Sequence, residues 1–166
     1  MPRPNRKTPL RDLKTYGRSH AVRLPEYDYA SDADIHIVLC ARGGTPFHDT
    51  PLAVLICENV EFYAKRLGYR LYGYCLMPDH LHVLFSPGDS GRPLSDWLRD
   101  FKSFTTNQWR KSKRGSRLWQ ESAYDHVCRS GEIAETVLTY IVNNPVRAGL
   151  VRCWRDWPWT KVFIEI

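Results

Sequence analysis

Several features are missing from this sequence of 166 residues, and each absence excludes a class of protein. No apolar run approaches the roughly 20 residues that a membrane-spanning helix needs, so no membrane partner is predicted. The basic first residues are not followed by an apolar signal core, and an intracellular location is the default expectation. There is also no internal repeat and no low-complexity segment, which excludes solenoid and fibrous proteins. The length favours a single globular domain.

The cysteine pattern excludes the common cysteine-based scaffolds. The five cysteines are odd in number, widely spaced and never arranged as Cys-x-x-Cys: Cys40, Cys57, Cys75, Cys128 and Cys153. Neither a zinc finger nor a disulfide framework is therefore predicted. We interpret these residues as reduced and structural, because a free cysteine in an apolar segment behaves as a small hydrophobic residue.

Positive charge and aromatic residues are plentiful. The net charge is +6, and there are six tryptophans and nine tyrosines. Lysine and arginine bind phosphates, and aromatic rings stack on unpaired bases, so the composition suits a nucleic-acid partner. A charge that only aids solubility, with the aromatic rings in the core, explains the composition equally well.

Hydrophobic periodicity predicts an alternation of strands and helices. Strands are predicted at 34–40, 69–76, 80–86 and within 118–128, and helices at 51–67, from Leu94 to the basic segment near 110, and at 130–144. The order β-α-β-β-α-β followed by a helix predicts an α+β, ferredoxin-like (split βαβ) antiparallel sheet with helices on one face. The last helix, which carries Tyr140, is free to cover the other face and is ended by Pro145. Residues 1–28 are predicted to form a basic arm or irregular lead-in, residues 29–166 a single catalytic domain, and the aromatic tail around 155–159 an extended segment.

Two histidines open the third predicted strand. His80 and His82 are separated by one residue, so both side chains lie on one face of the strand, opposite Leu81 and Val83. Two imidazoles on one face can bind a divalent metal, although packing and hydrogen bonding are commoner roles for this pattern. A third ligand would have to come from elsewhere in the chain, from water or from a substrate.

The last predicted helix carries two further polar residues on one side. Tyr140 and Asn144 are four residues apart and therefore project in the same direction. One interpretation makes Tyr140 a core aromatic and Asn144 a helix cap before Pro145. The other makes Tyr140 a nucleophile and Asn144 a metal ligand through its carbonyl oxygen.

The densest positive segment follows the second predicted helix. It contains more cations than a helix end requires, which favours contact with phosphates over simple solvation. The residues predicted to contact DNA are Arg42, Arg99, Lys102, Arg110, Lys111, Lys113, Arg114, Arg117 and Arg147.

Four segments together resemble a known family. Met-Pro-Asp-His-Leu-His-Val-Leu at 77–84 is similar to the His-hydrophobic-His motif of single-tyrosine (HUH) transposases. Tyr-Ile-Val-Asn-Asn-Pro-Val-Arg-Ala-Gly-Leu-Val at 140–151 resembles the tyrosine-helix signature of the REP-associated tyrosine transposases. Trp119-Gln120, followed by Tyr-Asp-His-Val at 124–127, and Asp-Trp-Pro-Trp at 156–159 match the same family in order and spacing.

The resemblance implies a mechanism and a set of partners. His80 and His82 would hold Mg²⁺ or Mn²⁺ against a phosphate of single-stranded DNA that carries hairpins. Tyr140 would attack that phosphate to form a 5′-phosphotyrosine link, and Asn144 falls where related enzymes carry a glutamine ligand. Relatives act as a monomer or a homodimer and work in the prokaryotic cytoplasm, at the nucleoid. Asn144 is shorter than glutamine and precedes a proline, and His126 is an alternative ligand or acid/base group if it is not a structural strand residue.

Two other functions are compatible with the same motifs. A non-catalytic module of this fold could bind single-stranded nucleic acid on its sheet. A metal-dependent nuclease could use the histidines to activate water. The tyrosine-helix segment favours the transposase mechanism over both.

Overall fold

The fold is a twisted antiparallel sheet with helices on both faces, seen in a computed structural model that describes residues 33–112, 114–121, 123–127 and 134–166. The elements are β1 (Ile35–Cys40), α1 (Thr50–Leu67), β2 (Arg70–Leu76), β3 (His80–Ser86), α2 (Leu94–Lys111), β4 (Tyr124–Val127), α3 (Ala134–Val142), α4 (Asn144–Arg147) and β5 (Thr160–Val162). The predicted arm at 1–28 lies outside the described residues.

The strand order confirms the predicted fold class. The sheet runs β4-β1-β3-β2-β5, and every neighbouring pair is antiparallel. Strand β3 lies between β1 and β2, which are connected through α1, and this is the split βαβ arrangement of ferredoxin-like folds. Among the helices in the described part of the chain, none is long and apolar enough to cross a membrane.

Local sequence signals define α1 at both ends. The Asp49 side chain accepts a hydrogen bond of 3.0 Å from the Leu52 amide, and Pro51 occupies the first turn, where its missing N–H costs nothing. Gly68 ends the helix in the left-handed conformation, with φ of 75°. Between these caps, the helix buries the face that contains Ile56 and Val60 against the sheet.

The larger hydrophobic core lies between the sheet and the helices α1 and α2. Leu81, Val83 and Phe85 project from β3 into this core, which leaves the even-numbered residues of the strand on the other face. Trp97 and Phe101 of α2 stack with ring centroids 4.6 Å apart and are fully buried. Burial of aromatic side chains on this scale makes a major contribution to stability, so the core holds β3 rigidly in place.

A smaller hydrophobic core on the opposite face holds α3. Its buried members are Tyr72, Cys75, Met77, Leu84, Leu138, Ile141 and Val142. An irregularity in β2 shifts the pairing register between Leu71 and Gly73, so both Tyr72 and Gly73 face α3. A Cβ at Gly73 would lie 2.7 Å from Leu138 Cδ1 and 2.8 Å from the Lys161 carbonyl oxygen. The absence of a side chain at Gly73 therefore permits the close approach of both α3 and β5.

Three boundaries differ from those predicted. The helix predicted at 130–144 is described from Ala134 and ends at Val142, before Pro145 as predicted. Pro145 then sits in the first turn of a separate short helix, α4, where it needs no amide hydrogen. The segment at 118–128, predicted to be a strand or an extended stretch, contains a bridge between Ala41 and Trp119 and then the short strand β4. The tail around 155–159 is not extended throughout, because Trp154–Asp156 forms a short 3-10 helix. Strand β5, which pairs with β2, begins only at Thr160 and was not predicted, since its three residues have no alternating polarity.

Candidate active site

The two histidines of β3 lie next to each other on the α3 side of the sheet. Their ring centroids are 4.8 Å apart, and the rings are nearly perpendicular at 79°. His82 is buried, with 2% of its surface exposed, whereas the His80 side chain is 27% exposed. The alternation of the strand, enforced by the large core on the other face, therefore places both imidazoles as predicted.

The His80 ring is oriented by its neighbour in the chain. Its Nδ1 lies 2.6 Å from Asp79 Oδ1, and this contact lowers the pKa of the Asp79 carboxyl group. Among the described residues, no partner bonds to His80 Nε2. A carboxylate at one nitrogen of an imidazole and a metal at the other is a common arrangement in metalloproteins. His80 is therefore set up to bind a ligand through Nε2.

His82 is oriented in the same way, by another histidine. His82 Nδ1 lies 3.0 Å from His36 Nε2, on β1. Within the described part of the chain, His82 Nε2 is buried and has no hydrogen-bond partner. Burial, with smaller contributions from His36, His80 and Arg147, lowers the pKa of His82 well below its usual value, so the ring is neutral at pH 7. A neutral ring with an unpaired nitrogen is what metal ligation requires.

Sulfur atoms flank the histidines without competing as ligands. In the strand register, Cys40 is opposite His80 and Cys75 is opposite His82. Burial raises the pKa of both cysteines, that of Cys75 to about 12, so both stay protonated. No group of three or more His, Cys, Asp or Glu side chains able to hold a metal exists among the described residues. The two imidazoles thus fit a divalent metal whose other ligands are supplied by water, substrate or an amide oxygen.

Tyr140 reaches this face of the sheet on α3. Its ring is partly buried against the smaller core, which also contains Cys75 and Leu84 beside His82. The Arg147 guanidinium lies 4.1 Å from the centre of the Tyr140 ring and donates a hydrogen bond of 3.0 Å to the Tyr140 carbonyl oxygen. Arg147 therefore holds the tyrosine from two sides.

Asn144 is also held by Arg147. Its amide nitrogen donates to the Ile141 carbonyl oxygen at 2.8 Å, and its Oδ1 accepts from Arg147 at 2.8 Å. The oxygen predicted to bind metal is thus hydrogen-bonded to a guanidinium in this structure. Coordination by Asn144 stays a prediction, and it would use the second lone pair of this oxygen or replace the contact with Arg147.

Most of the cations predicted to contact DNA have partners within the protein. Arg99 pairs with Asp96 and Asp100, Arg114 with Asp49, and Arg117 with Glu121. The Lys102 ammonium donates to the carbonyl oxygens of Gln120 and Glu121 at 2.6 and 3.1 Å, and Arg110 donates to that of Ser116 at 2.6 Å. Arg42 and Lys111 are exposed. Lys113 lies outside the described residues, and so does the side chain of His126, although its backbone lies in β4.

Part of this basic surface forms a cleft. A cavity of about 410 Å³ separates the loop at 42–46 from the segment at 114–118, and Arg42, Arg114 and Arg117 lie along it. The Ala41 amide donates to the Asp79 carbonyl oxygen at 2.8 Å, which connects the first loop to the residue before His80. The cleft therefore begins at the same end of the sheet as the histidine pair.

Sequence reasoning did not identify the two residues that orient the histidines. Asp79 adjoins the motif and could have been found from its position next to His80. His36 is a polar residue in an otherwise apolar strand, and its alternation with Ile35 and Ile37 places it on the α3 face. Only the pairing of β1 with β3 brings it to His82, because Val38 is directly opposite His82 and His36 is its diagonal neighbour.

Comparison with known proteins agrees with this geometry. The family model described as "Transposase IS200 like" matches residues 29–144, which include both histidines, Tyr140 and Asn144. The chain belongs to the IS200-like transposase family. The resemblance predicted from the sequence motifs is thereby confirmed at the level of the family.

Two individual relatives extend the comparison. A REP-associated tyrosine transposase of Escherichia coli is 23% identical over 98 residues, which is 59% of this chain. A Haemophilus influenzae protein, provisionally named as a REP-associated tyrosine transposase, is 28% identical in an alignment of 120 residues that covers 66% of this chain. The aligned regions span 57% and 64% of these two relatives, less than two thirds of either length.

A solved structure confirms the fold. A REP-associated tyrosine transposase bound to a REP hairpin superposes with a TM-score of 0.68 at 18% sequence identity. The match covers 81% of this chain and 79% of the other. At this identity, the likeness supports the α+β architecture.

Proposed function

We propose that this protein nicks and joins single-stranded DNA at hairpin sites through a covalent phosphotyrosine intermediate. The observation that carries the proposal is the pairing of both imidazoles at Nδ1, which leaves Nε2 of His80 and His82 for a ligand beside the helix that carries Tyr140. Membership of a transposase family and a relative bound to a REP hairpin support DNA as the substrate and the hairpin as its recognised form.

The reaction exchanges one phosphate ester for another. Tyr140 Oη attacks the scissile phosphorus and the bond from phosphorus to O3′ breaks. The fragment on the 3′ side of the break becomes esterified to the tyrosine through its 5′-phosphate, and the other fragment leaves with a 3′-hydroxyl. The phenol loses one proton and the leaving O3′ gains one, so the step needs no oxidant and no water. A 3′-hydroxyl can then attack the phosphotyrosine and restore a phosphodiester, because the ester linkage is kept in the intermediate.

A divalent cation would be held by Nε2 of His80 and His82. When bound there, Mg²⁺ or Mn²⁺ would act as a Lewis acid that stabilises negative charge developing on the phosphate oxygens. Two imidazoles leave several coordination positions for phosphate oxygens and water. Mn²⁺ suits this nitrogen-containing set better than Mg²⁺, which prefers oxygen ligands.

The chain's own residues provide the positioning. A phenol has a pKa near 10 and is a weak nucleophile at neutral pH, so its orientation matters. Arg147 holds the Tyr140 ring and main chain and brings a positive charge close to His82, whose pKa it helps to lower. The exposed Arg42 and Lys111 and the basic cleft offer contacts for phosphates of the bound strand.

Covalent trapping tests this proposal. The full chain is incubated with a 5′- or 3′-labelled hairpin oligonucleotide and Mn²⁺ or Mg²⁺, and the products are separated on a denaturing gel. We expect a protein–DNA adduct that retains the label on the 3′ side of the nick, requires metal and is absent from Tyr140→Phe. Tyr72→Phe is the matched control, because this tyrosine belongs to the same small core and should leave the adduct intact.

Three results would overturn the proposal. An adduct that persists in Tyr140→Phe would assign another nucleophile. Cleaved DNA without an adduct would favour a nuclease that activates water. Hairpin binding that is unaffected by chelator, with no cleavage at all, would identify a non-catalytic binding module.

A further inference from the structure

We propose that His36 is a positioning residue that fixes the tautomer of His82 so that its Nε2 can accept a ligand. The inference rests on the proposed function in one respect, since it takes His82 to be a metal ligand. It concerns a residue on a different strand that does not itself contact the substrate.

The geometry between the two rings is that of an in-plane hydrogen bond. The distance from His36 Nε2 to His82 Nδ1 is 3.0 Å, the ring centroids are 5.2 Å apart, and the ring planes differ by 25°. The centroid separation exceeds the nitrogen separation by about one ring width. The two rings therefore meet edge to edge, with the two nitrogens between their centres, and do not stack face to face. Both residues are buried, at 5% and 2% exposure, so water does not compete for this bond.

The position of one proton decides what His82 can do. A neutral imidazole carries its single N–H on either Nδ1 or Nε2, and the other nitrogen has the lone pair. A ligand at Nε2 requires the proton on Nδ1, where it is donated to His36 Nε2. His36 must therefore accept at Nε2 and carry its own proton on Nδ1. The opposite arrangement would leave an N–H at His82 Nε2 that is buried and unpaired.

The choice of partner matches the burial of each histidine. Exposed His80 is paired with a carboxylate, Asp79, which is itself 58% exposed and remains solvated. His82 is buried, and a carboxylate beside it would bear a large desolvation cost. A neutral imidazole supplies the same acceptor without a buried charge, and this explains why a second histidine occupies β1 at this place.

The tautomers can be observed directly by nitrogen-15 NMR of the imidazole rings in the metal-free protein. We expect His82 and His36 both to carry the proton on Nδ1, and we expect His36→Gln to leave the His82 tautomer unchanged, since a glutamine carbonyl can also accept. A His82 ring protonated on Nε2 in the wild-type protein would overturn the proposal.

Metal affinity provides the second measurement. Titration calorimetry with Mn²⁺ alone on the full chain should show binding about 10- to 100-fold weaker in His36→Phe, the usual effect of losing an outer-shell partner. His36→Gln should recover most of the affinity, and Asp79→Asn gives the comparison for the other ligand. His48→Phe, an exposed histidine, is the control and should bind normally. Thermal unfolding of each variant establishes that it is folded.

The outcomes separate this inference from the proposed function. Wild-type affinity in His36→Phe, or equal losses in His36→Phe and His36→Gln, would overturn the role of His36 while leaving phosphotyrosine chemistry possible. A wild-type protein that binds no Mn²⁺ and forms no adduct would overturn the proposed function, and the NMR spectra would still decide the tautomer. If His36→Phe does not fold, the glutamine variant and the spectra decide.

Discussion

Replacement of Gly73 by alanine should uncouple the tyrosine helix from the histidine strand. Gly73 lies in β2 under α3, and an added Cβ would be 2.7 Å from Leu138 Cδ1 and 2.8 Å from the Lys161 carbonyl oxygen. Real Cβ contacts are essentially never this short, so α3, β5 or both must move. The perturbation changes no residue proposed to act in catalysis.

The distances set the size of the effect. To move from 2.7 Å to the 3.4 Å at which ordinary contact begins, Leu138 must retreat by at least about 0.7 Å. Overpacking of this kind costs roughly 1–3 kcal/mol of stability. A displacement near 1 Å of a reacting group can slow a reaction by about 100-fold, so adduct formation by Tyr140 should slow by tens of fold. The histidines lie on β3 and should keep their metal affinity.

Three measurements on one set of variants test this reasoning. Urea unfolding gives stability, single-turnover gels give the rate of adduct formation, and calorimetry gives Mn²⁺ affinity. Leu138→Val removes both Cδ atoms and should partly rescue Gly73→Ala, because one of the two clashes disappears while that with the Lys161 carbonyl remains. Wild-type stability and rate in Gly73→Ala would refute the close packing of α3. Equal losses of metal affinity and rate would refute the separation of helix from strand.

Three further predictions concern individual side chains. Arg147→Lys should slow adduct formation on the order of tenfold, because an ammonium cannot cover the Tyr140 ring and also donate to both the Tyr140 carbonyl and Asn144 Oδ1. The rate of adduct formation with Mn²⁺, followed on denaturing gels, measures this effect. Lys102→Met removes two hydrogen bonds to carbonyl oxygens and should lower the free energy of unfolding by about 1–3 kcal/mol, without changing the salt dependence of DNA binding. Lys111→Met should leave stability unchanged and should reduce the slope of log affinity for DNA against log salt concentration by about 1. The pKa of His82 is lowered in the folded state, so below about pH 6.5 the unfolded chain binds a proton that the folded protein excludes. The free energy of unfolding should therefore decrease as the pH falls below this value, by up to about 1.4 kcal/mol per pH unit. Urea unfolding of the wild type and of His82→Gln at several pH values should differ by this slope.

The order of the first strands and helices could be predicted because each has a local signal. The β-branched run of β1, the caps of α1 at Asp49 and Gly68, and the alternation in β3 are all contained in a few neighbouring residues. The short strand β5 has no such signal, since its formation depends on the exposed edge of β2. The short helix α4 was not predicted, because a proline is equally compatible with the end of one helix and the first turn of the next.

The candidate site residues are recognisable in the sequence, whereas the residues that contact them are not. His80, His82 and Tyr140 stand out through spacing and motif, whereas contacts between distant residues depend on the completed fold. Asp49 pairs with Arg114 only because α1 and the end of α2 meet, and such pairing reduces the charge available to DNA. The His36 contact depends likewise on the register of β1 against β3. Sequence reasoning therefore identified the cations but not their ion-pair partners within the protein.

The division of the hydrophobic residues into two cores has a consequence for cooperativity. The histidines belong to strands anchored by the large core, whereas α3 depends on a few side chains centred on Leu138, Ile141 and Val142. The two faces of one sheet therefore differ in local stability, and α3 can open without unfolding β1 and β3. Backbone amides of α3 should exchange with deuterium through such partial opening, well before those of β3. Tyr140 would then lie on a less stable part of the domain than His80 and His82.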